Sequence, residues 1–211
     1  MLEKSNLELR RRQVGPWPMN SYGLVCPDTG KSVLIDPGAE PDTLEEMMAG
    51  STPEAILLTH SHQDHIFALV EMRQRLNVPL FAYGDLKEQG PEYKVDRQLQ
   101  DGDVLQVGNH SLQVYYTPGH INDQICFYLV GDHRAIVGDT IFDGGPGKTW
   151  SSAGFQQTLV TLREVVLPWP DETICYPGHG PSFVLGEKRT EINQFLEKDF
   201  GDFYGDATWD M

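Results

Sequence analysis

The chain has 211 residues, 39% of them apolar, with 21 glycines and 14 prolines. That composition fits a loop-rich globular protein with a sizeable core and excludes a helical bundle or a disordered chain. The net charge of −15 opposes nucleic acid and anionic membrane as partners through long-range repulsion, and no apolar run approaches the ~20 residues that span a bilayer.

Residues 1–15, "MLEKSNLELRRRQVG", carry basic residues and glutamates but no apolar stretch and no cleavage site. Neither a signal nor a transit peptide is expected, which predicts a cytoplasmic protein. "MNSYGLVC" (19–26) and "KSVLIDPG" (31–38) read as strands joined by the turn "PDTG". "PDTLEEMMAG" (41–50) reads as a short helix with acids in its first turn and glycine at its end. "PEAILLTH" (53–60) is a buried strand, and "HIFALVEMRQRLNVP" (65–79) follows at helical spacing, stopping at Asn77 and Pro79. "PLFAYG" (79–84) is a further strand.

Residues 103–120 alternate like a hairpin turning at "GNHS", and 124–140 repeat the scheme with a turn at "GDHR". "SAGFQQTLVTLREVVLP" (152–168) is a second amphipathic helix, "TICYPGHG" (173–180) a strand and loop, and "GEKRTEINQFLEK" (186–198) a last helix. Two strand-rich halves, each with helices, predict sheets packed face to face with helices outside. With no linker or repeat in view, one domain over 1–211 is expected. Its close, "EKDFGDFYGDATWDM" (197–211), holds five acidic residues among aromatics, and a solvated tail that packs one or two aromatics onto the body is expected there. Cys26, Cys126 and Cys175 are odd in number and widely spaced, which predicts buried thiols rather than a disulfide framework.

The chemistry concentrates in "THSHQDH" (59–65), directly after the apolar run "AILL". Of seven histidines, His110 and His133 lie in hairpin turns, where exposed polar residues without a function are expected. His60, His62, His65, His120 and His179, with Asp64 and Asp139, all fall where a strand ends and a turn begins. Loops held by a rigid sheet are where chemistry gathers. His60 and His62, at i and i+2, face the same way while the chain is extended. Asp64 and His65 come after the chain has begun to turn, which suits a second ion nearby. Asp139 arrives from a separate strand on a short side chain and is the bridging candidate for two ions ~3.5–4 Å apart.

These motifs carry a resemblance. "THSHQDH" is similar to the T-H-x-H-x-D-H signature of the metallo-β-lactamase superfamily. "LIDPG" (34–38), "TPGH" (117–120), "GDT" (138–140) and "PGHG" (177–180) follow the family's order. The resemblance implies an α/β fold, the αββα sandwich of two mixed β-sheets face to face with helices outside, and metals at one edge between the sheets. It implies two divalent metal ions, zinc, iron or manganese. One would take His60, His62 and His120, the other Asp64, His65 and His179, with Asp139 between them. Aspartate rather than cysteine at the bridging position leans away from a true β-lactamase. Asp64 is placed to orient a nucleophilic water and accept its proton. Asp36 is either a turn residue before "PG" or a hydrogen-bond partner of a ligand imidazole.

"TIFDGGPGKTW" (140–150) and the closing motifs resemble short glyoxalase II-like proteins, which hydrolyse thioesters. In those terms Lys148 would bind a carboxylate of the thiol and Trp150 would be an aromatic substrate contact. Longer glyoxalase II enzymes grip glutathione with basic residues of a C-terminal helical domain, whereas this sequence closes in an acidic stretch, so another thiol carrier is open. The alternatives are a lactonase, a phosphodiesterase, or a persulfide dioxygenase holding one iron at His60, His120 and Asp139. Dioxygenases resemble "GRTD" where this chain has "GKTW". The expected partner is a small-molecule substrate, with neither nucleic acid nor membrane.

Overall fold

A computed structural model describes residues 5–211. The first half builds a six-stranded sheet in sequential order: β1 (Glu8–Val14), β2 (Met19–Val25), β3 (Lys31–Ile35), β4 (Thr52–Leu57), β5 (Leu80–Tyr83) and β6 (Arg97–Leu99). Its first three strands pair antiparallel and β3 to β6 pair parallel. The second half builds another: β7 (Val104–Val107), β8 (His110–Tyr116), β9 (Ile125–Leu129), β10 (Arg134–Gly138), a separate two-stranded ribbon of β11 (Ile141–Phe142) and β12 (Gly145–Pro146), then β13 (Ile174–Pro177) and β14 (Phe183–Val184). The order in that sheet is β14-β13-β10-β9-β8-β7, antiparallel except for the parallel β10–β13 pair. Both sheets are mixed, as the αββα expectation requires.

Alternation along the strands makes the layers. Val33 and Ile35 point between the sheets against Leu112, Val114, Phe127 and Ile136, whereas Leu34 and Ile56 point outward to the helices. Those helices are α1 (Pro41–Met48), α2 (Gln63–Ile66) and α3 (Leu69–Leu76), which bury Leu44, Met48, Ile66 and Met72 there. On the outer face of the second sheet, α4 (Ser152–Thr161) and α5 (Leu185–Leu196) bury Phe155 and Phe195 on Cys126, Ala135 and Val137. Each fully buried side chain of this size contributes ~1.5–3 kcal/mol, so strands exposed on neither face, such as β2, are anchored from both sides. All three cysteines are buried free thiols.

Three elements depart from the sequence expectation. Residues 8–14, "ELRRRQV", form β1, paired along its whole length with β2. Three successive arginines hide the strand from a search for apolar alternation, and charge is what keeps an edge strand from pairing further. The helix expected over 65–79 divides into α2 and α3, because Ala68 donates its backbone N–H to the Pro37 carbonyl at 3.0 Å and stands at φ −97°, ψ 2°. The helix expected over 152–168 ends in a π-turn at Leu162–Val166. In the closing stretch Phe200, Phe203 and Trp209 join the cluster under α4 and α5. The Trp209 indole donates to the Asp143 carbonyl at 3.0 Å.

The rim where β3, β4, β8, β10 and β13 end is stitched from both sheets. Asn20 donates its backbone N–H to the Gly178 carbonyl at 2.7 Å, and the Tyr22 hydroxyl donates to the Pro177 carbonyl at 2.6 Å. From the other side, Ile125 N–H donates to the Thr59 carbonyl at 2.8 Å. The loops after those strands are therefore fixed to one another before any ligand is considered.

Candidate metal centre

Every loop at that rim delivers a side chain. His60 and His62 leave the end of β4, Asp64 and His65 ride on α2, and His120, Asp139 and His179 follow β8, β10 and β13. Three sets of potential ligand atoms lie within 4.8 Å of one another: His60 with His62 and His120; Asp64 with His65 and His179; and His60 with His65 and Asp139. The His62 Nδ1 is 3.2 Å from His60 Nε2 and 2.8 Å from His120 Nε2. His179 Nε2 is 3.1 Å from Asp64 Oδ2. Asp139 sits between the sets, 3.4 Å from His65, 3.6 Å from His120 and 3.7 Å from His179.

The chain orients these rings from behind. His120 Nδ1 donates to the Lys148 carbonyl at 2.6 Å and His179 Nδ1 to the Pro18 carbonyl at 3.1 Å, so each turns Nε2 inward. Asp36 does the same for two candidate ligands at once. Its Oδ2 accepts from His65 Nδ1 at 3.0 Å and from the Thr59 hydroxyl at 2.6 Å, and its Oδ1 accepts the Thr59 N–H at 2.8 Å. Thr59 Oγ1, its proton given to Asp36, takes a bond from His60 Nδ1 at 3.0 Å. Asp36 thus fixes His65 directly and His60 through Thr59, while also holding a left-handed turn at φ 52°; both sequence readings of Asp36 apply. Thr59 belongs to the same motif as His60, and its role is invisible in the sequence because its reach to Asp36 crosses from the end of β4 to the end of β3.

Electrostatics sorts the rings into two kinds. Burial, followed by the neighbouring histidines, holds His60 well below the usual imidazole range, brings His62 to about 4 and lowers His120. These three are neutral nitrogen donors at neutral pH. Burial pushes Asp139 up, but His65, His60 and His120 outweigh it and hold the carboxyl below its ordinary range. Burial would lower His65, yet the Asp139 carboxylate and the Asp36 bond together raise it to about 10.

Two buried polar atoms in the cluster, His65 Nε2 and Asp139 Oδ1, face each other at 3.4 Å without a well-formed hydrogen bond to any group, and an ion that displaces the His65 proton would take the lone pairs of both. Neutral imidazoles, carboxylates and these orphaned atoms fit divalent cations. The cluster suggests a dinuclear divalent-metal site. Gly178 leaves it room, since a Cβ there would run into Asp139 Oδ1 and come within 2.6 Å of the His65 ring.

A stability consequence follows from His65. Its folded pKa of about 10 lies above the ordinary value of 6.5, so its contribution is complete below pH 6.5 and is lost as pH rises through about 10. Chelated protein is expected to show a Tm that falls from about pH 7 to about pH 10, and loading with Zn²⁺ near pH 7 to release protons. Calorimetry in buffers of different ionisation enthalpy reads the second effect. A flat Tm with buffer-independent heats would contradict the assignment.

Comparison with known proteins agrees with this geometry. Residues 14–179 match the metallo-beta-lactamase superfamily. The chain belongs to that family. A probable metallo-hydrolase, YqgX of Bacillus subtilis (strain 168), is 33% identical over 210 residues, covering 90% of this chain and 98% of its own. The hydroxyacylglutathione hydrolase GloC of Haemophilus influenzae is 28% identical, with 82% and 91% covered. Among solved structures, the BLEG-1 B3 metallo-beta-lactamase superposes with a TM-score of 0.78 at 26% identity, covering 90% of this chain and all of that one. TTHA1623 in a di-iron-bound form gives 0.72 at 29% identity, covering 85% and 96%. ETHE1 from Myxococcus xanthus gives 0.75 at 26%, covering 91% and 86%. As a metallo-β-lactamase superfamily member, the chain is hydrolase-like, and its αββα fold is shared with these structures.

The substrate-side residues of the sequence reading lie beside the cluster. Trp150 is 63% exposed, with its ring 6.1 Å from the His62 ring. Lys148 Nζ lies 5.2 Å from the Trp150 ring centre and 3.0 Å from Asp206 Oδ2. That ion pair was not foreseeable, because Asp206 belongs to the closing stretch. His133 stands in its turn at φ 53°, and His110 bonds Ser5 at 3.1 Å; both are remote from the cluster. No helix among the described residues is long and apolar enough to cross a membrane.

Proposed function

We propose that this protein is a metal-dependent thioester hydrolase of the glyoxalase II-like type. One ion is assigned to His60, His62 and His120, the other to Asp64, His65 and His179, with Asp139 shared. Bound there, divalent ions such as zinc supply a water made acidic near neutral pH and an electrophile for the carbonyl oxygen. The observation that carries the hydrolytic reading is the central position of Asp139, within 3.7 Å of ligand nitrogens from both sets. The thioester reading is supported by relatives named hydroxyacylglutathione hydrolase.

The chain's own groups divide the work. Asp64, half-buried and bonded through Oδ2 to His179, orients the attacking water and accepts its proton at Oδ1. Burial opposes its ionisation, but the His179 bond together with the charges of His65 and His179 outweighs this and lowers its pKa, so it is ionised and available as a base at neutral pH. Water adds to the acyl carbon, the C–S bond breaks, and the thiol leaves with the proton that Asp64 held. Trp150 offers its face to the substrate at the mouth, with Lys148 beside it, and the Lys148 carbonyl keeps His120 in the orientation that ligation needs.

A panel of thioesters, lactones, a β-lactam and phosphodiesters, assayed with defined zinc, iron and manganese, tests the reading. Thioesters are expected to give the highest kcat/KM, by about tenfold or more over the other classes, the scale on which a site built for one leaving group discriminates. Preference for another class would refute it, and one iron with oxygen uptake on a persulfide would replace it with the dioxygenase.

A further inference from the structure

Beside the metal centre lies a cleft of about 540 Å³ with His62 and His120 at one end and Trp150 at its mouth. A second cleft of about 290 Å³ runs on along α4 past Val160 to Glu164. The two share Asn122 and Gln157, so they form one groove leading away from the reacting end. Its chemistry is uniform in one respect: among the described residues neither cleft is lined by a lysine or an arginine. Lys148, beside Trp150 at the mouth, is offset by Asp206 at 3.0 Å. What the groove offers instead is two carboxamides at its waist, a valine-lined wall beyond, and a single carboxylate at the far end.

We infer that the leaving thiol is an uncharged, amide-bearing arm of the pantetheine kind, laid along Asn122 and Gln157, and not the doubly carboxylated arm of glutathione. This rests on the thioester reading above and names the carrier. Carboxamide side chains pair with amides as donor and acceptor together, and both arms carry such amides, so the choice between them falls to charge. A glutathione arm would bring two carboxylates and one ammonium; Glu164 could meet the ammonium, but neither carboxylate would find a cation among the described lining residues, and charge left unpaired is how a site rejects a competitor.

Acetyl-pantetheine and acetyl-glutathione, hydrolysed by the same metal-loaded enzyme, provide the test. S-propyl pantetheine and S-propyl glutathione provide a binding measurement independent of turnover, followed by tryptophan fluorescence and by calorimetry. The pantetheine compounds are expected to lead by about tenfold or more in kcat/KM and in affinity, given two carboxylates left without a cation on the glutathione side. Gln157→Lys or Glu164→Lys, both on the solvent face of the α4 segment, is expected to narrow that ratio by favouring glutathione. Equal values, a lead for glutathione, or a ratio that neither lysine variant moves would overturn the inference. If neither thioester is hydrolysed yet S-propyl pantetheine still binds preferentially, the thioesterase reading fails and the carrier inference stands.

Discussion

Replacing Asp139 with alanine is expected to lower thioester kcat/KM by roughly 10³-fold or more, the scale seen when one member of a cooperating catalytic set is removed. Bound metal should also fall below two per chain. The reason is geometric. Among the described residues Asp139 is the one carboxylate within 4 Å of histidine nitrogens of both proposed sets, and it is the largest influence holding up the His65 pKa against burial. Without it the cluster loses its shared anion, and two cations so close together repel with nothing between them. The fold should survive, because Asp139 lies on the loop after β10 and outside the three apolar clusters. Circular dichroism and metal content measured on the same sample check this. A variant that keeps two ions and most of its activity would remove Asp139 from the bridge.

Asp36→Ala should have the second-largest effect, and of a different kind. Asp36 is 1% exposed and accepts three bonds, from the Thr59 N–H, the Thr59 hydroxyl and His65. Deleting it strands those donors in the interior, which costs about 3–5 kcal/mol when one partner of a buried charged pair is lost. It also frees His60 and His65 to rotate, and loss of such supporting bonds lowers metal affinity by about 10–100-fold. Asp36→Asn separates the two consequences. Asparagine tolerates the left-handed backbone that residue 36 adopts and keeps an oxygen for Thr59, so most stability should return while metal affinity stays reduced. Denaturant unfolding and competitive metal titration of both variants provide the comparison, and equal metal affinity in all three proteins would contradict the positioning role.

The parts of this molecule that could be read from sequence are those that sequence encodes locally. The strand-to-loop junction at Leu58–His60, the i, i+2 pair of His60 and His62, and the glycine-bounded motifs around His120, Asp139 and His179 are visible because each lies within a few residues. Alternation around Leu112–Val114 likewise forecast two faces for that strand, and two strand-rich halves carrying helices forecast the layered fold. What stayed hidden depends on distant partners. The strand β1 is held by its ladder with β2 and not by its own arginines. The break between α2 and α3 depends on Pro37. The relay from His60 through Thr59 to Asp36 and His65 spans two strands, and the Lys148–Asp206 pair joins residues from opposite sides of α4 and α5. Periodicity says which face a residue takes, but not which remote group meets it there.

The most direct test is the stoichiometry of tightly bound divalent metal on purified, metal-replete protein, determined by elemental analysis and confirmed by titration of the chelated chain. Two ions per chain, with cooperative loss of both in Asp139→Ala, are what seven converging side chains about a shared carboxylate predict. One ion per chain, with Asp64, His65 and His179 dispensable for its binding, would contradict that account.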